Sequence, residues 1–447
     1  MKSQEGHQSV SFVVAPGGVL RGRVRVPGDK SISHRAIILA AIAEGTTEIK
    51  GFLEGEDVLH TVQALCALGV GIDGPAGGRV QVHGSGLYGL KAPTSPLYLG
   101  NSGTSMRLLA GLLAGQQFDS ELIGDASLSR RPMRRVTEPL SAMGAQVLTT
   151  AAGTPPLRIA GGHVLTGIDY RMPVASAQVK SCVLLAGLYA AGRTCVREPA
   201  PTRDHTERML ASFEYPLKRA PGRVCLNGGG QLRATTVMVP GDLSSAAFLL
   251  VGAAIAEGSD LLIEDVGVNP TRTGVIDVLQ HMGGDIELRG VRQVTGEAIA
   301  DIRIRARPLH GVAITEQQVP LAIDELPALL VAAAFADGET VLTGASELRV
   351  KESDRIEALA EGLSRLGIVA KPTADGMIVH GGTVTGGRVS SYGDHRIAMA
   401  LAMAALRARG PIIVEDCANV DTSFPNFVTL TRSIGLDIRA EEPAAAR

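Results

Sequence analysis

The sequence is poor in aromatic residues and nearly balanced in charge. Phe, Tyr and Trp make up 3% of its 447 residues, Trp is absent, and the formal net charge is −2. Few side chains are available to stack on nucleobases, and no overall field attracts nucleic acid or an anionic membrane. We therefore expect no nucleic-acid partner and no membrane partner, so any binding of anions must depend on local clusters of Lys and Arg.

Long apolar runs are also missing. The longest, such as residues 246–256 and 397–406, are far shorter than the roughly 20 residues that span a bilayer. The first residues lack the basic and then apolar layout of a signal peptide. Hydrophobic residues still make up 45% of the chain, which is enough for a large buried core. The sequence predicts a cytoplasmic protein of roughly two to three domains.

Five cysteines are present, and none has the spacing of a metal-binding motif. Their odd number argues against a disulfide framework, and most lie in apolar stretches. We therefore expect most of the five cysteines to be small buried thiols; they are Cys66, Cys182, Cys195, Cys225 and Cys417. The sequence also lacks a Gly-x-Ser-x-Gly elbow and a Walker-type Gly-Lys-Ser/Thr loop, so chemistry that depends on a metal, a serine nucleophile or a P-loop is not expected.

What the sequence does contain is an internal repeat. An Ala- and Leu-rich helix, a Gly, a β-like run and an amphipathic helix ending near a second Gly recur six times, roughly every 70 residues. The third copy lacks its closing Gly and ends near Met209 and Leu210. Three copies plus three predict two similar domains, at 24–238 and at 1–23 with 239–447. Small-ligand sites favour the cleft that such a pair would form.

The six residues that precede the first copy recur before the fourth copy with one substitution. Residues 26–31 read Val-Pro-Gly-Asp-Lys-Ser, and residues 239–244 read Val-Pro-Gly-Asp-Leu-Ser. The turn is repeated but the charge is not. This asymmetry indicates that Lys30 serves binding or chemistry rather than folding.

Polar and basic residues stand at the starts of the repeated helices. Lys30 and Ser31 lie at a helix start, where backbone N–H groups attract anions, and Arg35 follows one turn later. Each such segment alone is equally well explained as a capped helix or a solvated salt bridge. Together, cation clusters with a few carboxylates favour acid–base chemistry on bound anions. The segments are 27–35, 99–107, 129–135, 175–180, 202–207, 323–327, 349–355 and 392–396.

Several of these segments resemble the family of 5-enolpyruvylshikimate-3-phosphate synthases, in the family's order and along nearly the whole chain. The motifs are 27–35, 99–107, Arg131-Pro132, 349–355 and 394–396. The resemblance implies an α/β fold, an inside-out α/β barrel of two similar domains with three βαβαββ units each. It implies transfer of the enolpyruvyl group of phosphoenolpyruvate to the 5-hydroxyl of shikimate 3-phosphate, with release of phosphate, on the route to chorismate and the aromatic amino acids. It also implies no metal, no organic cofactor, these two small molecules as partners, and a monomer.

The resemblance assigns roles to individual residues. For shikimate 3-phosphate it implies Lys30, Ser31, Arg35, Ser176, the backbone of Ala177, Gln178, Arg203, Asp324 and Lys351. For phosphoenolpyruvate it implies Lys30, Gly103, Arg131, Gln178, Arg355 and Arg396. Asp324 is expected to accept the proton of the attacking hydroxyl, and Glu352 to protonate and later deprotonate the methylene carbon. Lys30 is expected to serve proton transfer to the leaving phosphate.

Three positions depart from the commonest family pattern and resemble its second class. Leu108 stands where many members have Pro, Ser176-Ala177 where they have two serines, and Thr422 where they have a phosphoenolpyruvate-binding Lys. Gly103 is retained, so we expect glyphosate to have room to bind.

Two other functions compete with this interpretation. UDP-N-acetylglucosamine enolpyruvyl transferase shares the fold and the donor but carries a reactive Cys on a loop near an Arg-Pro pair, and residues 123–131 contain none. A catalytically silent anion-binding protein on the same fold would be expected to have lost the carboxylates Asp324 and Glu352, which are both present.

Overall fold

The computed structural model describes residues 10–442, which form two compact units. The N-unit consists of Gly28–Pro240 with Gln293–Ala298. The C-unit consists of the described residues up to Pro27, Gly241–Arg292 and the described residues from Ile299 onward. The chain thus enters the N-unit at Gly28 and leaves it after Pro240. The domain limits drawn from the repeat, whose ends 1–9 and 443–447 lie outside the described residues, stay a prediction.

The N-unit contains three four-stranded sheets, and the chain reaches it after two strands of the C-unit, β1 (Ser11–Val14) and β2 (Arg21–Val24). The sheet orders are β14-β3-β5-β4, β6-β7-β9-β8 and β10-β11-β13-β12. The elements are α1 (Lys30–Ala41), β3 (Glu44–Lys50), α2 (Glu56–Ala67), β4 (Gly71–Ala76), β5 (Arg79–Ser85), β6 (Leu97–Tyr98), α3 (Gly103–Leu113), β7 (Ser120–Ile123), α4 (Arg134–Ala142), β8 (Gln146–Leu148), β9 (Leu157–Ala160), β10 (Asp169–Arg171), α5 (Ala177–Gly187), β11 (Arg193–Arg197), α6 (His205–Ser212), β12 (Leu217–Ala220), β13 (Arg223–Asn227) and β14 (Thr236–Met238).

The C-unit repeats this plan with sheets β16-β17-β15-β2, β18-β19-β21-β20 and β22-β23-β1-β24. Its elements are α7 (Leu243–Ile255), β15 (Asp260–Gly267), α8 (Gly274–His281), β16 (Asp285–Val294), β17 (Glu297–Arg305), β18 (Ala313–Ile314), α9 (Val319–Ala322), α10 (Leu326–Ala333), β19 (Glu339–Leu342), α11 (Arg355–Arg365), β20 (Val369–Pro372), β21 (Met377–His380), β22 (Gly387–Ser390), α12 (His395–Ala404), β23 (Ile412–Glu415), α13 (Phe427–Ser433) and β24 (Ile438–Glu441). The predicted α/β class with three βαβαββ units in each half is confirmed.

Opening strands are exchanged between the first and fourth repeats. β2 directly precedes α1 in sequence but pairs in parallel with β15 of the C-unit. β14 directly precedes α7 but pairs in parallel with β3 of the N-unit. Each unit is therefore completed by a strand that lies next to the other unit in sequence.

Side-chain caps explain where the core helices begin. A carboxylate oxygen of Asp29 accepts from the N–H of Ile32 at 2.8 Å, and the Ser102 hydroxyl accepts from Ser105 at 3.1 Å. At α12, Asp394 accepts from the N–H of Arg396 at 2.9 Å. The capping interpretation of these polar segments is therefore correct for these residues. A cap uses only one of the free N–H groups of the first turn, so it does not exclude an anion at the same place.

The first helix of each repeat is buried along most of its length. In the N-unit α3 packs against α5, and in the C-unit α10 packs against α7 and α12. A Cβ atom at Gly111 would overlap the backbone carbonyl of Cys182, so glycine lets the backbones of α3 and α5 touch. This close packing fixes the helices, and with them the polar residues at their N-terminal ends.

The third repeat closes without glycine. The other five end on Gly69, Gly144, Gly283, Gly367 and Gly435, all with positive φ. In the third, α6 continues to Ser212, and Glu214 takes the equivalent position with a φ of 60°. The repeat therefore ends a few residues later than the predicted Met209 and Leu210, at a residue whose side chain disfavours this conformation.

The cysteine prediction is wrong for three of the five residues. Cys195 and Cys225 form a disulfide, because the register of β11 and β13 places them directly opposite each other with Cα atoms 4.1 Å apart. Cys66 is exposed rather than buried. Cys182 and Cys417 are buried thiols as predicted, and burial raises the pKa of each to about 12.

Candidate functional site

Lys30 opens α1 and pairs with a buried carboxylate. Its Nζ contacts Asp57 in the first turn of α2, and only 15% of the Lys30 side chain is exposed. The other oxygen of Asp57 is buried without a hydrogen-bond partner among the described residues. The ammonium is therefore held in place by a single carboxylate at the capped start of α1. Sequence analysis missed Asp57, whose only signal is its place at a helix start.

Arg35 is buried, and its guanidinium joins three helices. Its Nε donates to the Thr206 hydroxyl at 2.8 Å, and its two terminal nitrogens donate to the Ser181 hydroxyl at 2.8 Å and the Ser31 carbonyl at 2.9 Å. These partners lie on α6, α5 and α1. Arg35 thus fixes the beginnings of these helices with respect to one another.

His34, next to Arg35, is a neutral core histidine. Its Nδ1 lies 2.9 Å from the Thr61 hydroxyl. Burial, reinforced by the positive charges of Lys30 and Arg35, holds the pKa of His34 well below its ordinary value. The imidazole therefore carries no charge near neutral pH.

Gly103 opens α3 beside two guanidinium groups. A Cβ atom there would lie 2.9 Å from an Nη of Arg107 and 3.1 Å from an Nη of Arg131. Arg131 is buried and donates to the side-chain oxygen of Asn101. The missing side chain leaves these two cations next to the bare backbone of a helix N-terminus, which suits a small anion.

Gln178 is tied to this same cluster. Its Oε1 accepts from Arg107 at 2.6 Å, and its Nε2 donates to the Thr104 hydroxyl at 2.9 Å. The structure thus brings together Gly103, Arg131 and Gln178, which sequence analysis had assigned to one ligand. Arg107 lies in a motif that sequence analysis had noted, but it had been given no role.

Ser176 and Ala177 form the start of α5. The Ser176 hydroxyl caps the helix by accepting from the N–H of Val179 at 3.4 Å, and Ala177 is the first helical residue. Arg203 is half-buried in the segment of residues 198–204, which joins β11 to α6. These predicted residues therefore also lie at or next to helix N-termini of the N-unit.

In the C-unit, the guanidinium of Arg355 is surrounded by three carboxylates. It is 1% exposed and donates to Asp394 at 2.8 Å, to Glu352 at 2.6 Å and to Asp324 at 3.4 Å. Burial opposes its charge, but these carboxylates raise the pKa of Arg355 above its ordinary value. Burial likewise works to raise the pKa of Asp394, and the charge of Arg355 outweighs it and holds that pKa low. Both groups are therefore ionised, although both are buried.

The Asp324 carboxylate lies among three cations. Its oxygens are 3.4 Å from Arg355, 3.7 Å from Lys351 and 3.9 Å from Arg396. Arg396 also donates to the Asp324 carbonyl at 3.0 Å. The simple capping alternative for Asp324 is not what the structure shows, because α10 begins at Leu326 and its N-cap Glu325 makes no side-chain cap bond.

The five predicted residues of the C-unit therefore form one cluster, consisting of Asp324, Lys351, Glu352, Arg355 and Arg396. Asp394 belongs to it as well, although sequence analysis had given it no role. The sequence signal for Asp394 was its position directly before His395 and Arg396 at a helix start. Residues 10–442 contain no group of three His, Cys, Asp or Glu side chains arranged to hold a metal. None of the described helices is long and apolar enough to cross a membrane.

The positions that depart from the common family pattern have ordinary structural surroundings. Leu108 is fully buried in α3. Thr422 is also buried, and its hydroxyl donates to the Asn419 carbonyl at 2.7 Å. Position 422, where many family members have a lysine, therefore carries an uncharged side chain.

Comparison with known proteins gives one consistent result. Residues 14–430 match the family model of EPSP synthase (3-phosphoshikimate 1-carboxyvinyltransferase). The 3-phosphoshikimate 1-carboxyvinyltransferase of Nitrosococcus oceani is 67% identical over 96% of this chain and 97% of its own length. That of Methylococcus capsulatus is 65% identical over 96% of this chain and 99% of its own.

A solved structure agrees. The EPSP synthase of Acinetobacter baumannii superposes with a TM-score of 0.87 at 55% identity, covering 97% of this chain and 100% of that one. Sequence and fold therefore coincide over nearly the whole molecule, including every segment that supplies the clustered cations and carboxylates. This chain belongs to the EPSP synthase family.

Proposed function

We propose that this enzyme transfers the enolpyruvyl group of phosphoenolpyruvate to the 5-hydroxyl of shikimate 3-phosphate and releases phosphate, within the biosynthesis of chorismate and the aromatic amino acids. The observation that carries the proposal is the C-unit cluster. Asp324 and Glu352 both contact the buried guanidinium of Arg355, with Lys351 and Arg396 beside Asp324. Two carboxylates for proton transfer and three cations for anionic groups are the combination that this reaction needs.

The chemistry assigns a separate task to each carboxylate. Glu352 gives a proton to the methylene carbon of phosphoenolpyruvate while Asp324 accepts the proton of the attacking hydroxyl, and a new C–O bond forms at the adjacent carbon. In the second step the bond to phosphate breaks, Lys30 serves proton transfer to the leaving phosphate, and Glu352 takes a proton back from the methyl group. Glu352 recovers the proton that it gave, and the proton that Asp324 accepted replaces the one that Lys30 passed to phosphate. The products are therefore the enol ether and inorganic phosphate, and no added reactant is needed. General acid–base catalysis of this kind contributes about 10²- to 10⁴-fold for each group.

Binding of two polyanions requires many cations. Phosphoenolpyruvate is proposed to contact Lys30, Gly103, Arg131, Gln178, Arg355 and Arg396. Shikimate 3-phosphate is proposed to contact Lys30, Ser31, Arg35, Ser176, the Ala177 backbone, Gln178, Arg203, Asp324 and Lys351. The guanidiniums of Arg131 and Arg355 are already held by Asn101 and by carboxylates, which supports preorganised rather than newly ordered binding groups. The guanidinium of Arg35 is likewise held in place, by the hydroxyls of Thr206 and Ser181 and by the Ser31 carbonyl.

The proposal extends to the setting of the enzyme. We place it in the cytoplasm as a monomer whose two domains correspond to residues 24–238 and to residues 1–23 with 239–447. Glyphosate is proposed to inhibit it by occupying the space beside Gly103. Full turnover at high glyphosate concentration would contradict that part of the proposal.

The decisive experiment measures inorganic phosphate released from phosphoenolpyruvate with no metal added. We expect release only when shikimate 3-phosphate is also present. Release with UDP-N-acetylglucosamine instead would replace the acceptor, and saturable binding of both substrates without any release would favour an anion-binding protein.

A further inference from the structure

A buried lysine without a proposed role connects α5 to the segment that carries Arg203. Lys180 lies two residues after Gln178, and its side chain is 2% exposed. Its Nζ is 2.8 Å from Glu207 Oε1 and 3.1 Å from Glu198 Oε2, and it donates to the Thr202 carbonyl at 3.4 Å. One ammonium thus binds three residues on both sides of Arg203.

The segment of residues 198–204 has little structure of its own. It contains no helix or strand, and Pro199 and Pro201 have no N–H to donate. Thr202 donates its hydroxyl to Glu198 Oε2 at 2.6 Å, which folds the segment back on its first residue. The Nζ of Lys180 contacts the same oxygen of Glu198, so Lys180 also stabilises this folded arrangement of the segment.

The buried charges of Lys180, Glu198 and Glu207 are not expected to add much to the free energy of unfolding. The side chains of Glu198 and Glu207 are 13% and 5% exposed, and burying an ammonium with two carboxylates costs much of what their attraction returns. Oε2 of Glu207 is buried with no hydrogen-bond partner among the described residues. A cluster of this kind is better suited to select one conformation of the segment than to raise the free energy of unfolding.

The neighbouring residues strengthen the connection. Ser181 follows Lys180 on α5, and its hydroxyl lies 2.7 Å from that of Thr206, the residue before Glu207 on α6. Arg35 donates to both hydroxyls. Two successive residues of α5 therefore bind two successive residues of α6, which orients the start of α6 immediately after Arg203.

We propose that Lys180 is a positioning residue for the binding of shikimate 3-phosphate. Through Glu198, Thr202 and Glu207 it holds the segment of residues 198–204 so that Arg203 presents its guanidinium to the ligand. This inference rests on the proposed function, which assigns Arg203 to shikimate 3-phosphate. Lys180 itself does not touch the ligand.

The test compares Lys180→Met, Arg203→Ala and the double variant by calorimetric titration with shikimate 3-phosphate and by steady-state kinetics. For each single variant we expect the Kd and KM for shikimate 3-phosphate to rise about 10- to 100-fold, because misplacing a binding group by about 1 Å can cost about 10²-fold. The KM for phosphoenolpyruvate should change less than about twofold. In the double variant Lys180→Met should add less than about twofold, because it acts only through Arg203.

Two further variants control for folding. Lys50→Met removes an ammonium of the N-unit that is part-exposed and pairs with Glu48 at 3.1 Å. This variant should change neither the Kd nor the KM for shikimate 3-phosphate. The triple variant Lys180→Met, Glu198→Gln, Glu207→Gln leaves no uncompensated buried charge and should show the same selective loss. Thermal unfolding of each variant verifies that it is folded.

The proposal is overturned by an unchanged Kd in folded Lys180→Met, by equal losses for both substrates, or by losses that add in the double variant. Failure of both Lys180 variants to fold would also overturn it and make Lys180 a folding residue. A wild-type protein that binds shikimate 3-phosphate without turnover would contradict the proposed reaction but leave the binding test of Lys180 intact. If the wild-type protein does not bind shikimate 3-phosphate, both the proposed reaction and the proposed role of Lys180 are wrong.

Discussion

Gly103 matters because a side chain there would meet two guanidinium groups. We predict that Gly103→Ala raises the KM for phosphoenolpyruvate about tenfold, which corresponds to about 1.4 kcal/mol. The new Cβ must displace Arg107 or Arg131, whose nearest nitrogens would lie at 2.9 and 3.1 Å. Steady-state kinetics with each substrate varied in turn measures the effect, and the KM for shikimate 3-phosphate should change much less. Gly71→Ala is a matched control, because its Cβ would make only ordinary contacts of 3.4 Å or more. An equal rise in the KM for phosphoenolpyruvate and the KM for shikimate 3-phosphate would contradict this role of Gly103.

Asp324 and Glu352 share Arg355 but have different chemical tasks. We predict that Asp324→Asn and Glu352→Gln each lower kcat by about 10²- to 10⁴-fold, because each removes one proton-transfer group and keeps its shape. Rapid acid quench of a single turnover should show less addition intermediate in each variant than in the wild type, because both groups act in the addition step. Glu352→Gln should fail mainly at the carbon protonation, and Asp324→Asn at attack by the hydroxyl.

Glu357→Gln provides the control for these two substitutions. Glu357 lies in the first turn of the same helix that begins with Arg355, and its side chain is 63% exposed. Its substitution should leave kcat unchanged. Equal activity of Asp324→Asn, Glu352→Gln and Glu357→Gln would remove both carboxylates from the mechanism.

At the scale of elements, the end of α6 is the one repeat closure that lacks glycine. Glu214 takes a φ of 60°, and the N–H of Tyr215 donates back to the Leu210 carbonyl at 2.8 Å, the bond that closes a Schellman-type turn. The Glu214 side chain contributes little, since its pair with Arg233 is 3.5 Å long and both side chains are about 70% exposed. The sequence has therefore kept a strained closure in the repeat that also carries Arg203 and Lys180.

We predict that Glu214→Gly raises the free energy of unfolding by about 0.5 to 1 kcal/mol. The gain is the left-handed penalty of roughly 1–2 kcal/mol less the greater entropy of an unfolded glycine. Urea denaturation with an unchanged m-value measures it. Glu214→Ala removes the same side chain but keeps the penalty, so it should change the stability by less than about 0.5 kcal/mol. A gain of equal size in both variants would show that the side chain, and not the backbone, is responsible.

At the scale of the whole molecule, buried His34 makes the stability depend on pH. In the unfolded chain histidine has a pKa of about 6.5, whereas burial and then the charges of Lys30 and Arg35 lower the pKa of folded His34. Below pH 6.5 the unfolded chain gains a proton that the folded one does not. The contribution of His34 is therefore complete above pH 6.5 and is lost as the pH falls toward the lowered pKa.

We predict that wild-type protein loses up to about 1.4 kcal/mol per pH unit below pH 6.5 relative to His34→Gln. Gln retains a hydrogen-bonding group for Thr61 but cannot take up a proton. Denaturation midpoints measured between pH 7.5 and 5.5 test this difference. Every other titratable group is common to the wild type and His34→Gln, so the difference between their slopes belongs to position 34. Parallel pH dependence of wild type and His34→Gln would contradict the prediction.

The sequence was sufficient for the architecture, because the repeat and the polar helix starts depend on local preferences. The family resemblance pointed to Asp324, Glu352 and Arg355, which the structure places in one cluster, while their roles in the reaction stay predictions. It could not show that three carboxylates from separate segments surround one buried guanidinium, or that Asp57 holds Lys30. Those facts arise from tertiary packing, as does the register that joins Cys195 to Cys225. Lys180 lies in the noted segment 175–180 but received no role, because its two glutamates are distant from it in sequence.

The strand pairings of the two units have a consequence for synthesis on the ribosome. The three sheets of the N-unit use only strands from the continuous stretch Gly28–Pro240, so they can form while the rest of the chain is still being made. The C-unit cannot finish in this way, because β1 pairs with β24, with Ser11 opposite Glu441 at the far end of the described chain. β1 therefore has no partner strand until β23 and β24 have been made, whereas β2 can pair as soon as β15 is available. The sheet that contains β1 can thus close only after β24 has been made, although β1 precedes every other described strand in the sequence.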